Sequence, residues 1–473
     1  MIACLRLQVG SPPRQSKMID KFPYGKAPFW LFVMAIVSSV LLVALNRSAS
    51  ERPDLILVTF TAAHYDAYRH AIPRFEREHH VKVDIELTHW GSLQSRLQNA
   101  ILANTDVPDL VEMLEGSLGF FTRGPTVDVG LIDLTEKIRA EGIDKRVVAS
   151  RFSLWTTQGR NYGIPHDVHP IMLAYRRDLI EQLGIDVREL DTWDKFVEVG
   201  RRVSKDKDGD GVIDQYMIDL PYSGNWALIA LMLQRGGQLF DAKGNVAFDS
   251  EETAQVFDWY LHQTRSKDKI ATDCGWAQPQ MKAMADGLAL FFITPDWRSK
   301  AYETDMPHLA GKMALMPMPA WTKGGRRTSV WGGTGLVITK RTKHPELAWE
   351  LAKFLYFDKQ ELGQRYKRTN IIPPFKEAWN LPEFSEPNPF YSNQRIGLMY
   401  AELAPQTPPT YSAAVDGTAR ANLDQAYSRV AEYYKAQGDT GLMDKIRFEL
   451  KKSADHVREL AERDQVFHRQ ESP

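Results

Sequence analysis

Between Asp54 and Glu115 the apolar period of the chain changes four times, and this constrains the fold more than any other feature. "DLILVTFT" (54–61) is an apolar run of strand length. "HYDAYRHAIPRFEREHH" then places Tyr68, Ile72 and Phe75 four and three residues apart, on one face of a helix. "VKVDIELT" (81–88) alternates as a strand, "SLQSRLQNAILAN" returns to a helical period, and "PDLVEM" is a third short strand. Strand–helix–strand–helix–strand is the pattern of a parallel α/β sheet. Open sheets of that kind bind ligands beyond the carboxyl ends of their strands. Ala63, His64, Tyr65, Trp90, Gly91, Glu112 and Glu115 are therefore expected near one rim.

From about Asp167 the character changes. "TWDKFVEVGRRVSKD" reads as a helix capped by Thr192. "WALIALMLQRGG" is a helix ended by Gly236–Gly237, and "FDSEETAQVFDWYLHQT" is one capped by Ser250 with Glu252 in its first turn. "LALFFIT", "KMALMPMP" and "GGTGLVITK" read as buried strands. Trp193 and Trp349 fall at core spacing in their helices. The Pro-rich stretch 373–391 is expected to be a surface excursion, held down by its aromatics. "MDKIRFELKKSADHVRELAERD" is expected to be a solvated surface helix.

Phe29–Leu45 has no charge. As a helix it would rise roughly 25 Å, just short of a hydrocarbon core. Arg6, Arg14, Lys17, Lys21 and Lys26 precede it, opposed by Asp20 alone, which keeps the amino terminus cytoplasmic. The expectation is a cytoplasmic region over 1–28, a membrane anchor or signal core over 29–46, a linker over 47–53 and an extracytoplasmic body, either anchored or released by cleavage. Cys4 and Cys274 would then lie on opposite sides of the membrane, so no disulfide joins them. Hydrophobic residues make up 43% and charged residues 25%, a composition that folds, and the net charge of -1 gives no support for binding nucleic acid or an anionic membrane. Twelve Trp and 17 Tyr, many in polar surroundings, instead suit flat ligands such as sugar rings.

"DKDGDGVIDQYM" (206–217) has the carboxylate spacing of an EF-hand loop: Asp206, Asp208, Asp210, the carbonyl place at Val212, and Asp214. Met217 stands where the chelating Glu belongs, and the stretch that follows does not read as a helix. Without a helix on both sides, the loop does not favour a calcium sensor that opens a groove. The loop is either a structural Ca2+ clip or a solvated turn, and no cofactor is otherwise required. Neither G-x-S-x-G, H-E-x-x-H nor a P-loop occurs, and the glycines of "WGGTGLV" lead into a strand, so the reading is of a binding protein and not an enzyme.

Six stretches in order, "PDLVEM", "NYGIPHDVHPIMLAYRRDLIEQLGI", "TWDKF", "GNVAFDSEETAQVFDWY", "ITPDW" and "WGGTGLVITKRTKHPELAWELAKFL", make residues 54–435 resemble the family 1 extracellular solute-binding proteins of ABC importers, the maltose-binding-protein type. The resemblance implies a two-lobed α/β fold of the periplasmic-binding-protein kind (type II), closing on an oligosaccharide that is passed to ABC permease subunits. It implies lobe one over 54–167 and 298–345, lobe two over 172–292 and 346–460, a tail over 461–473, and crossings near 167–171 and 293–298. It points to Trp297, with Asp296, where the family has a sugar-stacking "GPW", and to Asp167 and His169 on the hinge. It also points to Trp331, Gly332 and Gly333 in the Gly-Gly segment and to Tyr411. Asn225 and Trp226 open a lobe-two helix, while His64, Tyr65, Trp90 and Glu115 come from the lobe-one rim. His166 and His169 are equally open to a hinge-packing role. No lipid-anchoring Cys follows the apolar segment, and the protein is expected to act as a monomer. The alternatives are a membrane-tethered sugar sensor and, less favoured, a glycan-active enzyme using Glu112 and Glu115 as paired acids.

Overall fold

The computed structural model describes residues 30–39, 53–103, 105, 107–122, 129–223 and 226–470, with the side chains of 464–470 outside the described set. Residues 30–39 form a helix, and among the described residues no helix is long and apolar enough to cross a membrane. The rest of the expected 29–46 segment and region 1–28 lie outside the described residues.

The body, Asp54–Pro473, is built on two sheets. The first begins with β1 (Leu55–Thr59), β2 (Val83–Leu87) and β3 (Leu110–Leu114). It is completed by β4 (Gly163–Pro165) and, much later in the chain, β10 (Thr334–Ile338), in the order β2-β1-β3-β10-β4. β1, β2 and β3 are parallel, with Leu55 facing Val83 and Leu57 facing Leu110, while β10 runs antiparallel between β3 and β4. The helices Ala62–His79 and Trp90–Ala103 make the parallel connections. Tyr68, Ile72 and Phe75 are buried on the first of them, as their spacing requires.

The second sheet contains β5 (Ile171–Arg176), β6 (Tyr216–Asp219), β7 (Ala271–Thr272), β8 (Ala289–Pro295) and β9 (Met313–Pro317), in the order β9-β5-β8-β6-β7. All six residues of β5 are buried and all seven of β8, because helices cover both faces. Trp193 sits in the core on one side with helices Trp226–Arg235 and Glu251–Arg265. On the other side the Pro-rich stretch is indeed pinned down, by buried Phe375, Phe384, Phe390 and Tyr391. The caps read from the sequence form: Thr192 accepts from Lys195 N and Ser250 from Thr253 N.

Several expected boundaries move. The first passage between sheets is at 166–170, where Pro170 bridges Val330. The second is not near 293–298. Pro295 is still paired with Ile171, Asp296 starts a helix on the same sheet, and β9 adds to its edge, so the chain returns only at 330–334. Helix Pro345–Phe357 belongs to the first sheet, where Trp349, Leu351 and Leu355 pack with Leu55 and Phe75. The carboxyl-terminal helix runs from Leu442 to Gln470, leaving no separate tail from 461, and it is not merely solvated. Leu442, Ile446, Leu450, Ala454 and Val457 form a buried stripe at helical spacing, which a window rich in Lys, Arg and Glu obscures.

Candidate functional site

A cleft of about 1090 Å3 opens where the carboxyl end of the first sheet faces the second. Phe60 to His64 follow β1, and Leu114 and Glu115 close β3. Trp297 begins the helix Asp296–Asp305 after β8, and Trp331 to Thr334 are the returning crossing.

Tryptophans dominate one wall. Trp226 and Trp331 stack with ring centroids 4.0 Å apart and 8° between planes. Trp297 meets Trp331 edge-on at 5.4 Å, and its Nε1 donates to the Trp331 carbonyl at 3.3 Å. Trp276 meets Trp331 at 5.8 Å. Trp90, on lobe one, is 61% exposed and Trp276 is 53% exposed, so both offer ring surface to the cleft. Such apolar faces beside polar groups suit a flat, hydroxylated ligand.

Beneath this wall runs a buried charged chain. His169 is fixed between two carboxylates, with Nδ1 2.7 Å from Asp296 Oδ1 and Nε2 3.0 Å from Asp167 Oδ2. Burial opposes the imidazolium, but the two carboxylates outweigh it and hold the His169 pKa up, to about 10. Asp296 also accepts from the Trp297 and Ile372 N–H groups, each at 2.7 Å. Asp167 accepts from Thr334 N at 3.0 Å and His166 Nδ1 lies 3.1 Å from it, and Arg151 lies 3.6 Å away. Burial would raise the Asp167 carboxyl, yet His169 and His166 hold it well below the usual range. His166 is the opposite case: burial, with Arg365 and His64 adjacent, lowers its pKa to about 3.

Glu112 closes the chain inside lobe one. It accepts from the hydroxyls of Thr59, Tyr68 and Tyr356, and lies 2.9 Å from His64 Nδ1. His64, Glu112 and His166 place ligand atoms within 4.8 Å of one another. The His64 and His166 rings, however, lie 4.0 Å apart at 36°, nearly stacked rather than converging on one point, and Glu112 is already saturated. That arrangement is a polar pin between β3 and the crossing rather than a metal centre. It also removes Glu112 from the rim and from any pairing with Glu115 as acid and base.

Of the residues singled out in the sequence, His64, Trp90, Glu115, His169, Trp226, Trp297, Trp331, Gly332 and Gly333 line the cleft. Tyr411 lines an adjoining cavity of about 50 Å3 with Glu115, Trp226 and Trp331. Tyr65 does not line the cleft. Asp167 and Asp296 do not line it either; fully buried, they hold His169 in place. Asn225 lies outside the described residues. Gly332 adopts φ 97, and a Cβ on Gly333 would stand 2.6 Å from Arg151 Nη2 and 2.5 Å from Leu154, so its missing side chain makes room for lobe one and not for a ligand. Two residues escaped the sequence reading: Trp276, in an irregular loop, and Arg151, a fully buried cation donating to the Gly332 carbonyl at 3.0 Å.

The aspartate loop stands outside the cleft. Asp206 accepts from Gly209 N and Gly211 N at 2.6 and 2.7 Å, Asp210 from Val212 N at 2.7 Å, and Asp214 from Lys207 N at 2.7 Å. Those backbone donors, Gly211 first, hold the Asp206 carboxyl below its ordinary value. Asp206, Asp208 and Asp210 bring oxygens within 4.8 Å of one another, a donor set that fits a hard cation. Met217 is buried in β6 and contributes nothing.

Residues 61–362 match the family model described as bacterial extracellular solute-binding protein. The chain is 29% identical to an arabinooligosaccharide-binding protein of Halalkalibacterium halodurans over 345 residues, 72% of this chain and 75% of that one. It is 24% identical to a lactose-binding protein of Rhizobium radiobacter over 381 residues, 77% and 80% of the two chains. In fold it is similar to the sugar-binding protein MalE of Xanthomonas citri, with a TM-score of 0.71 at 17% identity, covering 86% of this chain and 99% of that one.

Proposed function

Because the chain belongs to the bacterial extracellular solute-binding proteins, we propose that its cleft captures an oligosaccharide outside the cytoplasm and delivers it to an ABC importer. The observation that carries the reading is the tryptophan wall: Trp226, Trp276, Trp297 and Trp331 gathered in a cleft between two sheets. Pyranose and furanose C–H faces lie on such rings, and Glu115 supplies a hydroxyl acceptor beside them. The names of the sequence relatives, one for arabinooligosaccharides and one for lactose, point to the same ligand class.

Closure follows from the crossings. Ligand contacts on Trp90 and Glu115 from one lobe, and on Trp276 and Trp297 from the other, stabilise a closed form that a permease recognises. Binding without turnover is the expected behaviour. Replacing Trp297 with Ala weakens binding of the sugar by about 1–2 kcal/mol in a calorimetric titration and leaves the fold intact; unchanged affinity removes Trp297 from the site. The apolar segment retains the protein at the membrane or releases it after cleavage, and fractionating cells with an antibody against the body separates the two.

The aspartate loop takes a calcium ion in this reading, held by Asp206, Asp208 and Asp210, and serves as a clip between helix Trp193–Val203 and β6. Replacing Asp208 and Asp210 with Ala lowers the unfolding midpoint in calcium and spares sugar affinity. Loss of affinity with an unchanged midpoint contradicts the clip.

A further inference from the structure

Trp276 is the least enclosed of the clustered tryptophans, at 53% exposed, and it sits on an irregular turn between β7 and the helix Gln278–Asp286. Gly275 has φ 75 and Ala277 φ 58 on either side of it. A half-exposed indole on such a turn keeps one orientation only if something holds its face. Arg298 does so: its guanidinium carbon lies 4.3 Å from the Trp276 ring centroid and 5.4 Å from that of Trp331.

Arg298 is 4% exposed, and its Nη1 is buried with no hydrogen-bond partner. A buried guanidinium in that condition is costly unless aromatic faces stabilise it. Its Nη2 donates to Gln280 Oε1, Gln280 Nε2 donates to Asp219, and Asp219 Oδ1 accepts from Cys274 N at 3.0 Å. The relay therefore leaves the cation and returns to the backbone of the turn that carries Trp276. Gln280 and Asp219 are 1% and 2% exposed, so this circuit is built into the interior and owes nothing to solvent.

We propose that Arg298 is a positioning residue for the cleft: set over one face of Trp276 and held by Gln280 and Asp219, it presents the outer face of that indole to the ligand as a sugar-stacking surface. The inference rests on the reading of the cleft as a sugar site. It adds a specificity element, since a planar cation fixes the indole in one plane, whereas a Lys ammonium is a hydrated point charge with no face to stack.

The test combines a ligand-free readout with a titration. Protein labelled with 5-fluorotryptophan gives one 19F line per indole, and the Trp276 line is assigned by its absence in Trp276→Ala. In ligand-free Arg298→Met the Trp276 line shifts and narrows towards that of a mobile indole, and Arg298→Lys does not restore it. Titrated with arabinotriose, Arg298→Met and Trp276→Ala each bind about tenfold more weakly. The double variant binds no more weakly than either, because one residue acts through the other. An unchanged Trp276 line in folded Arg298→Met, or two additive losses approaching a hundredfold, overturns the proposal. Should Arg298→Met fail to fold, Gln280→Ala keeps the guanidinium and removes its tether; it must move the Trp276 line in the same direction, and an unmoved line overturns the proposal equally. If the unaltered protein does not bind arabinotriose, the assignment of that sugar fails, and the 19F line alone then decides the positioning role.

Discussion

Replacing Asp296 with Ala lowers the free energy of unfolding by about 3–5 kcal/mol at pH 7, the range found when one partner of a buried ion pair is removed. The reason lies in what Asp296 serves. One carboxylate oxygen faces His169 Nδ1 and also takes the Trp297 N–H, and the other takes the Ile372 N–H, all within 2.7 Å. The truncation leaves two buried N–H groups unpartnered and removes one of two counter-charges from an imidazolium that is 5% exposed. Urea denaturation of the variant beside the unaltered protein measures this. A loss under about 1 kcal/mol would mean that His169 is neutral or that water reaches it.

Raising the pH from 7 to 10 removes stability through the same histidine. With a folded-state value of about 10, His169 binds its proton more tightly than in the unfolded chain. Its contribution is complete below the unfolded value of about 6.5 and is lost as pH rises through 10. His166, at about 3, behaves in the opposite sense: its contribution is present above about 6.5 and lost as pH falls towards 3. At roughly 1.4 kcal/mol per unit, either histidine is worth on the order of a few kcal/mol across its window. Unfolding free energies at intervals of pH separate them. His169→Gln flattens the fall between pH 7 and 10, and His166→Gln flattens the fall below pH 6.5. An alkaline slope that His169→Gln leaves intact places the titration elsewhere.

Much of this architecture is legible in the chain itself, for identifiable reasons. The five elements from β1 to β3 appear where the apolar period puts them, because the inner strands β1 and β3 are buried and continuously apolar, the edge strand β2 alternates, and the helices are apolar on one side. His64, Trp90 and Glu115, which the strand-end rule puts on one rim, line the same cleft. It misplaces Glu112, which looks like a rim carboxylate but points into the lobe, where three hydroxyls and His64 neutralise its cost.

What the sequence hides is long-range pairing. Trp226 and Trp331 are far apart in the chain yet stack face to face, and no local pattern announces it. "ITPDW" looks like the end of a strand leaving its sheet. Only the pairing of Pro295 with Ile171, and the later edge strand β9, keep that stretch in the second sheet. Asp167 and Asp296 read as sugar ligands because both residue type and place suit that role. Their burial against His169 is a tertiary fact. Trp276 had a local signal after all, in "DCGW", where a glycine at positive φ turns an indole outward, but the strand before the turn has only two residues and does not mark it.

Capture of a sugar in this cleft is the property on which the proposed function stands. It is tested most directly by the thermal unfolding midpoint of the protein measured alone and with arabinotriose, lactose or maltotetraose, with the sugar recovered and analysed afterwards. A ligand that binds only the folded state at a hundred times its Kd adds about 2.7 kcal/mol. A clear rise with one of these glycans is expected, with full recovery of that glycan uncleaved. An unchanged midpoint with every one of them, or cleavage of the sugar, would contradict it.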